Sequence, residues 1–331
     1  MRIYFCRQGL IYICNILQNE LPDDEILDCP PDQVSVAAQD ADILIPTVSP
    51  IAADAMRSSR LKLVQQYGAG LDTVDIPAAT AAGIYVANVP TAGTGNAESV
   101  AELALLFMLG LARKYRQTQE SIRNKVLGSP LGQTLKGKTA AIIGYGGIGR
   151  ALAERLSGFE MNILAVSRRG PSPDKPTDGK DDDISISQHV AQDGLHDTLK
   201  QADFVITAPP LNDETRSLIG QAEFACMKPE AFVINVARGP VLDYDALLAA
   251  LKEGRIAGAG LDVFWYEPFD PDDEIFSYNV LATPHVGGAT DVSLQGIAKR
   301  VAENVNRLRN GEAPLNCANP ELQPTGSRRL S

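Results

Sequence analysis

Short apolar runs alternate with segments of helical periodicity along most of the chain. Ten runs stand out, from "RIYFC" at residues 2–6 to "VLATPH" at residues 280–285. Apolar runs of this length, bounded by turn residues, are typical of strands buried on both faces. Parallel strands need crossover connections, and the helical segments between the runs can provide them. The alternation predicts an α/β protein with parallel sheets covered by helices.

Two groups of runs suggest two domains. The chain has 331 residues, which is more than one ordinary core accommodates. Residues 95–124 separate the groups and carry apolar side chains at helical spacing as far as Ala112, where the segment turns polar. We expect one long helix here, passing from the first domain to the second.

The composition excludes several classes of protein. Hydrophobic residues make up 44% of the chain and charged residues 21%, as in globular proteins. The net charge of -11 argues against a nucleic-acid partner, which would require a basic face. No apolar stretch of about 18 residues is present, so no membrane span is expected. The five cysteines lack metal-like spacing, so we expect no metal site and reduced thiols in a cytoplasmic protein.

A glycine-rich turn lies between a predicted strand and a predicted helix. In "TAAIIGYGGIGR", Gly144, Gly146 and Gly149 form a Gly-x-Gly-x-x-Gly pattern. The first glycine permits a tight turn, the second lets a pyrophosphate approach the backbone, and the third lets the helix pack against the strand. The amides at the helix N-terminus then face the phosphates. In this context the pattern predicts dinucleotide binding.

The end of the next strand bears on the choice of cofactor. NAD-binding folds commonly place an acidic residue there to bind the ribose. Here the position is Ser167, followed by Arg168 and Arg169. Guanidinium groups match phosphate geometry, and no carboxylate would repel a 2′-phosphate. We expect NADP(H) to be preferred and NAD(H) to be possible; alternatively, the arginines only begin an exposed loop at residues 170–183.

The three histidines occupy different environments in the sequence. His285 follows an apolar strand and precedes "VGGAT", so its side chain can point into a cleft. This histidine is the candidate acid–base group. His189 and His196 lie in "ISISQHVAQDGLHDTLK", a polar segment predicted to be helical, where both are expected to be solvated.

Charged residues follow two other strands. Arg238 comes after a buried strand, and Asp262 and Glu267 surround the end of the next one. An arginine offers a planar fork to a carboxylate, and a carboxylate beside a histidine orients the ring and favours its protonated form. A structural ion pair among the three residues is the alternative.

Several motifs in order resemble those of the D-isomer-specific 2-hydroxyacid dehydrogenases of the glyoxylate/hydroxypyruvate reductase type. They are "YGAGLD", "NAESVAELALLFML", "GYGGIGR", "INVARGPVLD", "GAGLDVFWYEP" and "ATPHVGGAT". The resemblance implies two Rossmann-like domains with parallel sheets and an active site in the cleft between them. It implies a discontinuous substrate-binding domain of residues 1–102 and 290–331, and a dinucleotide-binding Rossmann domain of residues 103–289.

The same resemblance implies roles for individual residues. His285 would donate a proton to the substrate carbonyl, Glu267 would support His285, and Arg238 would bind the substrate carboxylate. The backbone amides of Ala69 and Gly70 would hold the other side of that carboxylate. The residues expected at the cofactor are Tyr145, Gly146, Gly147, Ile148, Ser167, Arg168, Arg169, Ala208, Pro209, Val236, Asp262 and Gly287.

The implied activity is that of an NAD(P)-dependent oxidoreductase acting on the CH–OH group of 2-hydroxy acids, and the implied assembly is a homodimer. The loop at residues 46–56 should border the substrate and contains no Lys or Arg. This favours a small, unphosphorylated 2-keto acid such as glyoxylate or hydroxypyruvate, reduced with NADPH. Two alternatives remain open: NAD-linked oxidation of a 2-hydroxy acid, and a nucleotide-sensing, corepressor-like binding protein of the same fold.

Overall fold

Two compact units make up the chain. The computed structural model describes residues 1–171 and 186–322. Unit 1 comprises Met1–Asn96 and Ala289–Ser331, and unit 2 comprises Ala97–Gly288. Unit 1 is therefore discontinuous in sequence, and the first boundary lies at the start of the apolar helical segment rather than within it.

Strands and helices alternate in chain order. The strands are β1 (Arg2–Phe5), β2 (Glu25–Asp28), β3 (Ile43–Ile45), β4 (Leu63–Gln65), β5 (Tyr85–Ala87), β6 (Thr139–Ile143), β7 (Asn162–Val166), β8 (Gln188–Val190), β9 (Phe204–Thr207), β10 (Phe232–Asn235), β11 (Gly258–Leu261) and β12 (Val280–Ala282). The helices are α1 (Ile11–Glu20), α2 (Val34–Ala37), α3 (Ile76–Ala81), α4 (Asn96–Ala112), α5 (Tyr115–Arg123), α6 (Gly147–Ser157), α7 (Leu195–Gln201), α8 (Gln221–Cys226), α9 (Tyr244–Lys252) and α10 (Asp291–Arg309). Each of the ten apolar runs contains a strand, and β2 and β8 are additional.

Unit 1 is built on a parallel sheet. Its described residues form five strands in the order β2-β1-β3-β4-β5. The central strand β3 is apolar and fully buried, as expected for a strand covered on both faces. Beside the edge strand β5, the Ala318 amide donates to the Val86 carbonyl at 2.7 Å, and the buried Asn319 side chain accepts from the Val86 amide at 2.9 Å. This segment therefore covers the sheet edge.

Unit 2 contains the larger sheet. Its described residues form seven strands in the order β12-β11-β10-β9-β6-β7-β8, and all neighbouring pairs are parallel. Two apolar clusters lie on opposite faces, because the consecutive residues Ala140 and Ala141 on β6 belong to different clusters. Helices α4 and α6 contribute to the first cluster, and helices α7, α8 and α9 contribute to the second. The predicted α/β class with two Rossmann-like parallel sheets is confirmed.

The prediction of one long helix over residues 95–124 is wrong. Helix α4 ends at Ala112, and Lys114 adopts a left-handed conformation with φ 52° before α5 begins. The apolar stripe that packs α4 against the core stops at Ala112. No residue of α5 is buried, so tertiary packing does not force α4 and α5 to form one continuous helix.

The polar segment at residues 184–200 also differs from the prediction. Among its described residues, Gln188–Val190 form strand β8, Gln192–Gly194 form a 3-10 turn, and the α-helix is confined to Leu195–Gln201. The exposed loop predicted for residues 170–183 lies mostly outside the described residues. No helix in the described ranges combines the length and the apolar character that a bilayer crossing requires.

Candidate active site

The glycine-rich turn joins β6 to α6 and is formed by close packing. A Cβ on Gly144, whose φ is 98°, would lie 2.5 Å from the Pro209 nitrogen, and a Cβ on Gly149 would lie 2.5 Å from the Gly144 carbonyl oxygen. Around Gly146 the situation is reversed. Apart from its chain neighbours, no heavy atom of the described residues would lie within 4 Å of a Cβ there. Gly144 and Gly149 therefore permit close packing, and Gly146 leaves space for a ligand.

The start of α6 suits a pyrophosphate. Gly146 is the N-cap residue, and no side chain of the described residues caps it. The first amides of an eleven-residue helix are thus available, together with the positive end of the helix dipole. Tyr145, Gly147 and Ile148 are half-buried around this turn. The arrangement fits a dinucleotide.

Other predicted cofactor residues lie at the ends of neighbouring strands. The Ala208 amide donates to the Ile143 carbonyl at 2.8 Å, which places Ala208 and Pro209 directly beside the turn. Val236 is buried after β10. The structure thus brings these residues to the same sheet edge as Gly144.

The two arginines after β7 are exposed. An Arg168 Nη1 lies 3.8 Å from a Glu214 carboxylate oxygen, and the two side chains are 64% and 62% exposed. Such a pair in water contributes little, on the order of 0 to 1 kcal/mol, so a phosphate could replace the carboxylate. Arg169 is exposed as well.

Ser167 contacts His189, which was predicted from the sequence to be solvated. Its hydroxyl lies 3.0 Å from the Gly170 carbonyl oxygen and 2.8 Å from the Nε2 atom of His189. The His189 ring is half-buried and meets the ring of Tyr145 edge-on, with 5.1 Å between the centroids. The prediction of a solvated His189 is therefore wrong. His196, in contrast, is exposed and pairs with Glu223 at 2.7 Å.

His285 and Glu267 form a hydrogen-bonded pair. The His285 Nδ1 lies 2.7 Å from one carboxylate oxygen of Glu267, and the other oxygen accepts from the Phe264 amide at 3.1 Å. The two side chains are 32% and 23% exposed, so the pair is partly shielded from water. Because Nδ1 is engaged, Nε2 is the ring nitrogen that can reach a substrate.

The electrostatic surroundings keep Glu267 ionised. Burial acts to raise the pKa of Glu267, but the hydrogen bond and charge of His285, the Phe264 amide and the charge of Arg238 outweigh it, and the pKa lies below its usual value. The ionised carboxylate accepts a hydrogen bond from Nδ1 and thereby orients the imidazole ring.

Arg238 is held by the loop that follows β10. The side chain of the buried Asn235 donates to the Arg238 carbonyl at 2.8 Å and accepts from the Ala237 amide at 3.1 Å. An Arg238 Nη1 donates to the Ala237 carbonyl at 2.8 Å. A Cβ on Gly239 would lie 2.1 Å from the backbone of Phe264, so this loop packs directly against the segment that leads to Glu267.

Asp262 organises the loop that carries His285. One oxygen of this buried carboxylate accepts from the Thr283 hydroxyl at 2.7 Å and the Val286 amide at 2.8 Å, and the other accepts from the Gly287 amide at 2.9 Å. The Asp262 carbonyl accepts from the His285 amide at 2.8 Å. His285 has a φ of 56°, a left-handed conformation that costs a non-glycine residue about 1 to 2 kcal/mol. The carboxylate network offsets this cost, and contact of Asp262 with a nicotinamide carboxamide stays a prediction.

The remaining predicted residues belong to unit 1. Ala69 and Gly70 lie in the loop after β4, where the Gln66 side chain donates to the Gly70 carbonyl at 2.7 Å and the Asn88 side chain donates to the Ala69 carbonyl at 2.7 Å. These bonds order the loop. The role predicted for its amides in substrate binding stays a prediction.

Sequence patterns did not predict that Asp262 organises the loop of His285 or that His189 contacts Ser167.

In the described ranges, no group of three or more His, Cys, Asp or Glu side chains could hold a metal ion.

Comparison with known proteins identifies the family. Residues 105–287 match the family described as "D-isomer specific 2-hydroxyacid dehydrogenase, NAD binding domain". The chain belongs to this family. It is thus an NAD(P)-dependent oxidoreductase that acts on 2-hydroxy acids.

Individual 2-hydroxyacid dehydrogenases support the assignment. The chain is 40% identical over 274 residues to glyoxylate reductase of Thermococcus gammatolerans, covering 80% of this chain and 78% of that protein. It is 37% identical over 317 residues to glyoxylate reductase of Pyrococcus furiosus, with coverage of 92% and 88%. The NADPH-dependent glyoxylate/hydroxypyruvate reductase of Sinorhizobium meliloti, solved with NADP and malonate, superposes with a TM-score of 0.80 at 27% identity, covering 100% of this chain and 99% of that one.

The lowered pKa of Glu267 predicts a pH-dependent contribution to stability. Because this pKa is below its unfolded value, the contribution is fully present above the unfolded pKa and is lost as the pH falls through the folded pKa. The melting temperature of Glu267→Gln should therefore lie below that of the wild type at about pH 6, and the difference should shrink towards about pH 3.5. The exposed Glu230→Gln serves as the control, and a difference for Glu267→Gln that stayed constant with pH would contradict the prediction.

Proposed function

We propose that this dehydrogenase reduces a small, unphosphorylated 2-keto acid of the glyoxylate or hydroxypyruvate type, with NADPH as the preferred hydride donor and His285 as the proton donor. The observation that carries the proposal is the 2.7 Å pair of His285 and Glu267, which lies at the sheet edge where Arg238 also emerges. A ring nitrogen, a supporting carboxylate and a carboxylate-binding cation are the groups that this reaction requires.

A nicotinamide cofactor, when bound, would supply the hydride that the keto carbon needs. The protein must protonate the carbonyl oxygen at the same time, and His285 is suited to this because Glu267 holds its Nδ1 and leaves Nε2 for the substrate. The Nε2 proton passes to the carbonyl oxygen, and the neutral ring is then reprotonated from solvent. In the oxidative direction the same nitrogen accepts the proton.

Arg238 fixes the orientation of the substrate. A guanidinium binds a carboxylate through two parallel hydrogen bonds, which leaves the adjacent carbonyl with little rotational freedom. The ordered backbone around Asn235 and Ala237 holds the base of the Arg238 side chain. Pre-positioning of this kind lowers the entropic part of the barrier.

The preference for NADPH rests on the end of β7. Ser167, Arg168 and Arg169 present a hydroxyl and two exposed guanidinium groups, and the Arg168–Glu214 contact is weak enough to yield to a phosphate. The Sinorhizobium meliloti relative, which is described as NADPH-dependent, supports the same choice.

The substrate class is supported by both sequence and relatives. Residues 46–56 contain no Lys or Arg that could bind the phosphate of a phosphorylated substrate. The archaeal relatives are glyoxylate reductases.

We also propose that the protein forms a homodimer. The segment after α5 exposes Leu127 to 99% and Leu131 to 87%, and Ile122 and Val126 are exposed beside them. Contiguous exposed apolar side chains mark interaction surfaces, and a second copy of this chain would bury them.

The proposed substrate and cofactor can be tested together by initial rates. NADPH and NADH are each combined with glyoxylate, hydroxypyruvate, pyruvate and 3-phosphohydroxypyruvate, and the oxidation of the cofactor is followed by absorbance. We expect the highest kcat/KM for NADPH with glyoxylate or hydroxypyruvate. A higher kcat/KM with 3-phosphohydroxypyruvate would contradict the substrate class, and a higher kcat/KM with NADH would support the NAD-linked alternative.

His285→Ala should lower kcat by about 10²- to 10⁴-fold, because general acid catalysis contributes that much. The dissociation constant of NADPH, measured by fluorescence titration, should change little. His196→Ala is a matched control, since His196 also pairs with a glutamate at 2.7 Å but belongs to the exposed surface. Retention of about a tenth or more of the wild-type kcat by His285→Ala would overturn the proton-donor assignment.

Replacing Arg168 and Arg169 together by alanine should raise KM for NADPH by at least about 10- to 100-fold, because the loss of even one hydrogen bond to a charged group costs roughly 1.5 to 3 kcal/mol. KM for NADH should change far less, since NADH has no 2′-phosphate. Arg255→Ala removes a comparably exposed arginine that also pairs with a glutamate. An equal change of KM for NADPH and for NADH would show that Arg168 and Arg169 do not bind the 2′-phosphate.

A further inference from the structure

His189 reaches the proposed 2′-phosphate site through strand pairing. Strand β8 lies beside β7 with Ala165 opposite His189 and Val166 opposite Val190. The Ser167 amide continues the ladder by donating to the Val190 carbonyl at 3.1 Å. The backbone thus fixes the histidine next to the serine at the end of β7.

The hydrogen-bond partners of the Ser167 hydroxyl identify which of these two side chains is the donor. A hydroxyl has one hydrogen, and that of Ser167 is directed to the Gly170 carbonyl at 3.0 Å. The contact of 2.8 Å between the Ser167 hydroxyl oxygen and Nε2 of His189 therefore requires that Nε2 carries a hydrogen and donates it. His189 holds the oxygen in place while the hydroxyl hydrogen can rotate.

The His189 ring is itself held by the glycine-rich turn. It meets the Tyr145 ring edge-on, with 5.1 Å between the centroids and 62° between the planes. The Arg150 guanidinium carbon lies 5.6 Å from the Tyr145 centroid. The histidine therefore connects the turn that suits a pyrophosphate with the serine that suits a ribose phosphate.

We propose that His189 is a positioning residue for NADPH selection. Its Nε2–H group holds the Ser167 oxygen so that the serine hydroxyl, released from the Gly170 carbonyl, can donate to the 2′-phosphate. NADH has no such phosphate and gains nothing from this alignment. The inference rests on the proposed preference for NADPH, and it adds to the two arginines the uncharged hydroxyl of Ser167, whose oxygen is held in place by His189.

The test compares three variants by the ratio of kcat/KM with NADPH to kcat/KM with NADH. His189→Phe keeps a ring against Tyr145 but lacks the N–H group, and it should lower the ratio by about 5- to 10-fold, mainly through KM for NADPH, because a factor of ten corresponds to one hydrogen bond of about 1.4 kcal/mol. His189→Gln retains an N–H donor and should recover part of the loss. His189→Leu, which also lacks a donor, replaces the phenylalanine variant if the latter does not fold.

A double-mutant cycle with Ser167→Ala separates positioning from direct contact. If His189 acts through Ser167, Ser167→Ala should show a similar loss, and His189→Phe should add almost nothing to it. A full additional loss in the Ser167→Ala background, or equal losses with NADPH and NADH, would overturn the inference. An unchanged ratio in a protein that does prefer NADPH would overturn the inference alone, whereas a wild type that prefers NADH would overturn the proposed cofactor preference as well.

Discussion

Parallel pairing of the strands in unit 2 is the constraint on which the candidate site depends. Because neighbouring strands run in the same direction, the segments that follow β6, β7, β9, β10, β11 and β12 all emerge at one edge of the sheet. The glycine-rich turn, the Ser167 turn, the Arg238 loop and the His285 loop therefore lie along the same sheet edge, although they are far apart in the sequence. An antiparallel strand at any of these positions would send its polar residues to the opposite edge.

Buried polar groups convert this edge into a defined geometry. The Asp262 carboxylate binds three donors of the loop at residues 283–287, and the Asn235 amide ties down the loop of Arg238. A buried charge is costly unless its oxygens are satisfied, and here each one is. The Asp262 network thus holds the left-handed backbone of His285, and Glu267 separately binds the imidazole ring.

Much of the fold was predictable because the strongest signals are local. Each of the ten apolar runs contains a strand, and the residues predicted around Gly144, Arg238, Glu267 and His285 lie in segments that follow strands. Strands β2 and β8 were missed because both lie at a sheet edge and mix polar with apolar residues. The break at Lys114 was missed because helical periodicity does not report the left-handed residue that ends it. His189 depends on the pairing of β7 with β8, which no local pattern reveals.

The strand order also sets the distance between the two ends of the candidate site. Five strand spacings separate β7, which leads to the Ser167 turn, from β12, which leads to His285, and at about 4.8 Å each they amount to about 24 Å. In the proposed arrangement an extended dinucleotide would span this distance, with its 2′-phosphate near the end of β7 and its nicotinamide towards β12. At this separation, changes at the two ends should be nearly independent in free energy. Cofactor choice in this fold can therefore change at the rim of the sheet without any alteration of the proton-transfer chemistry.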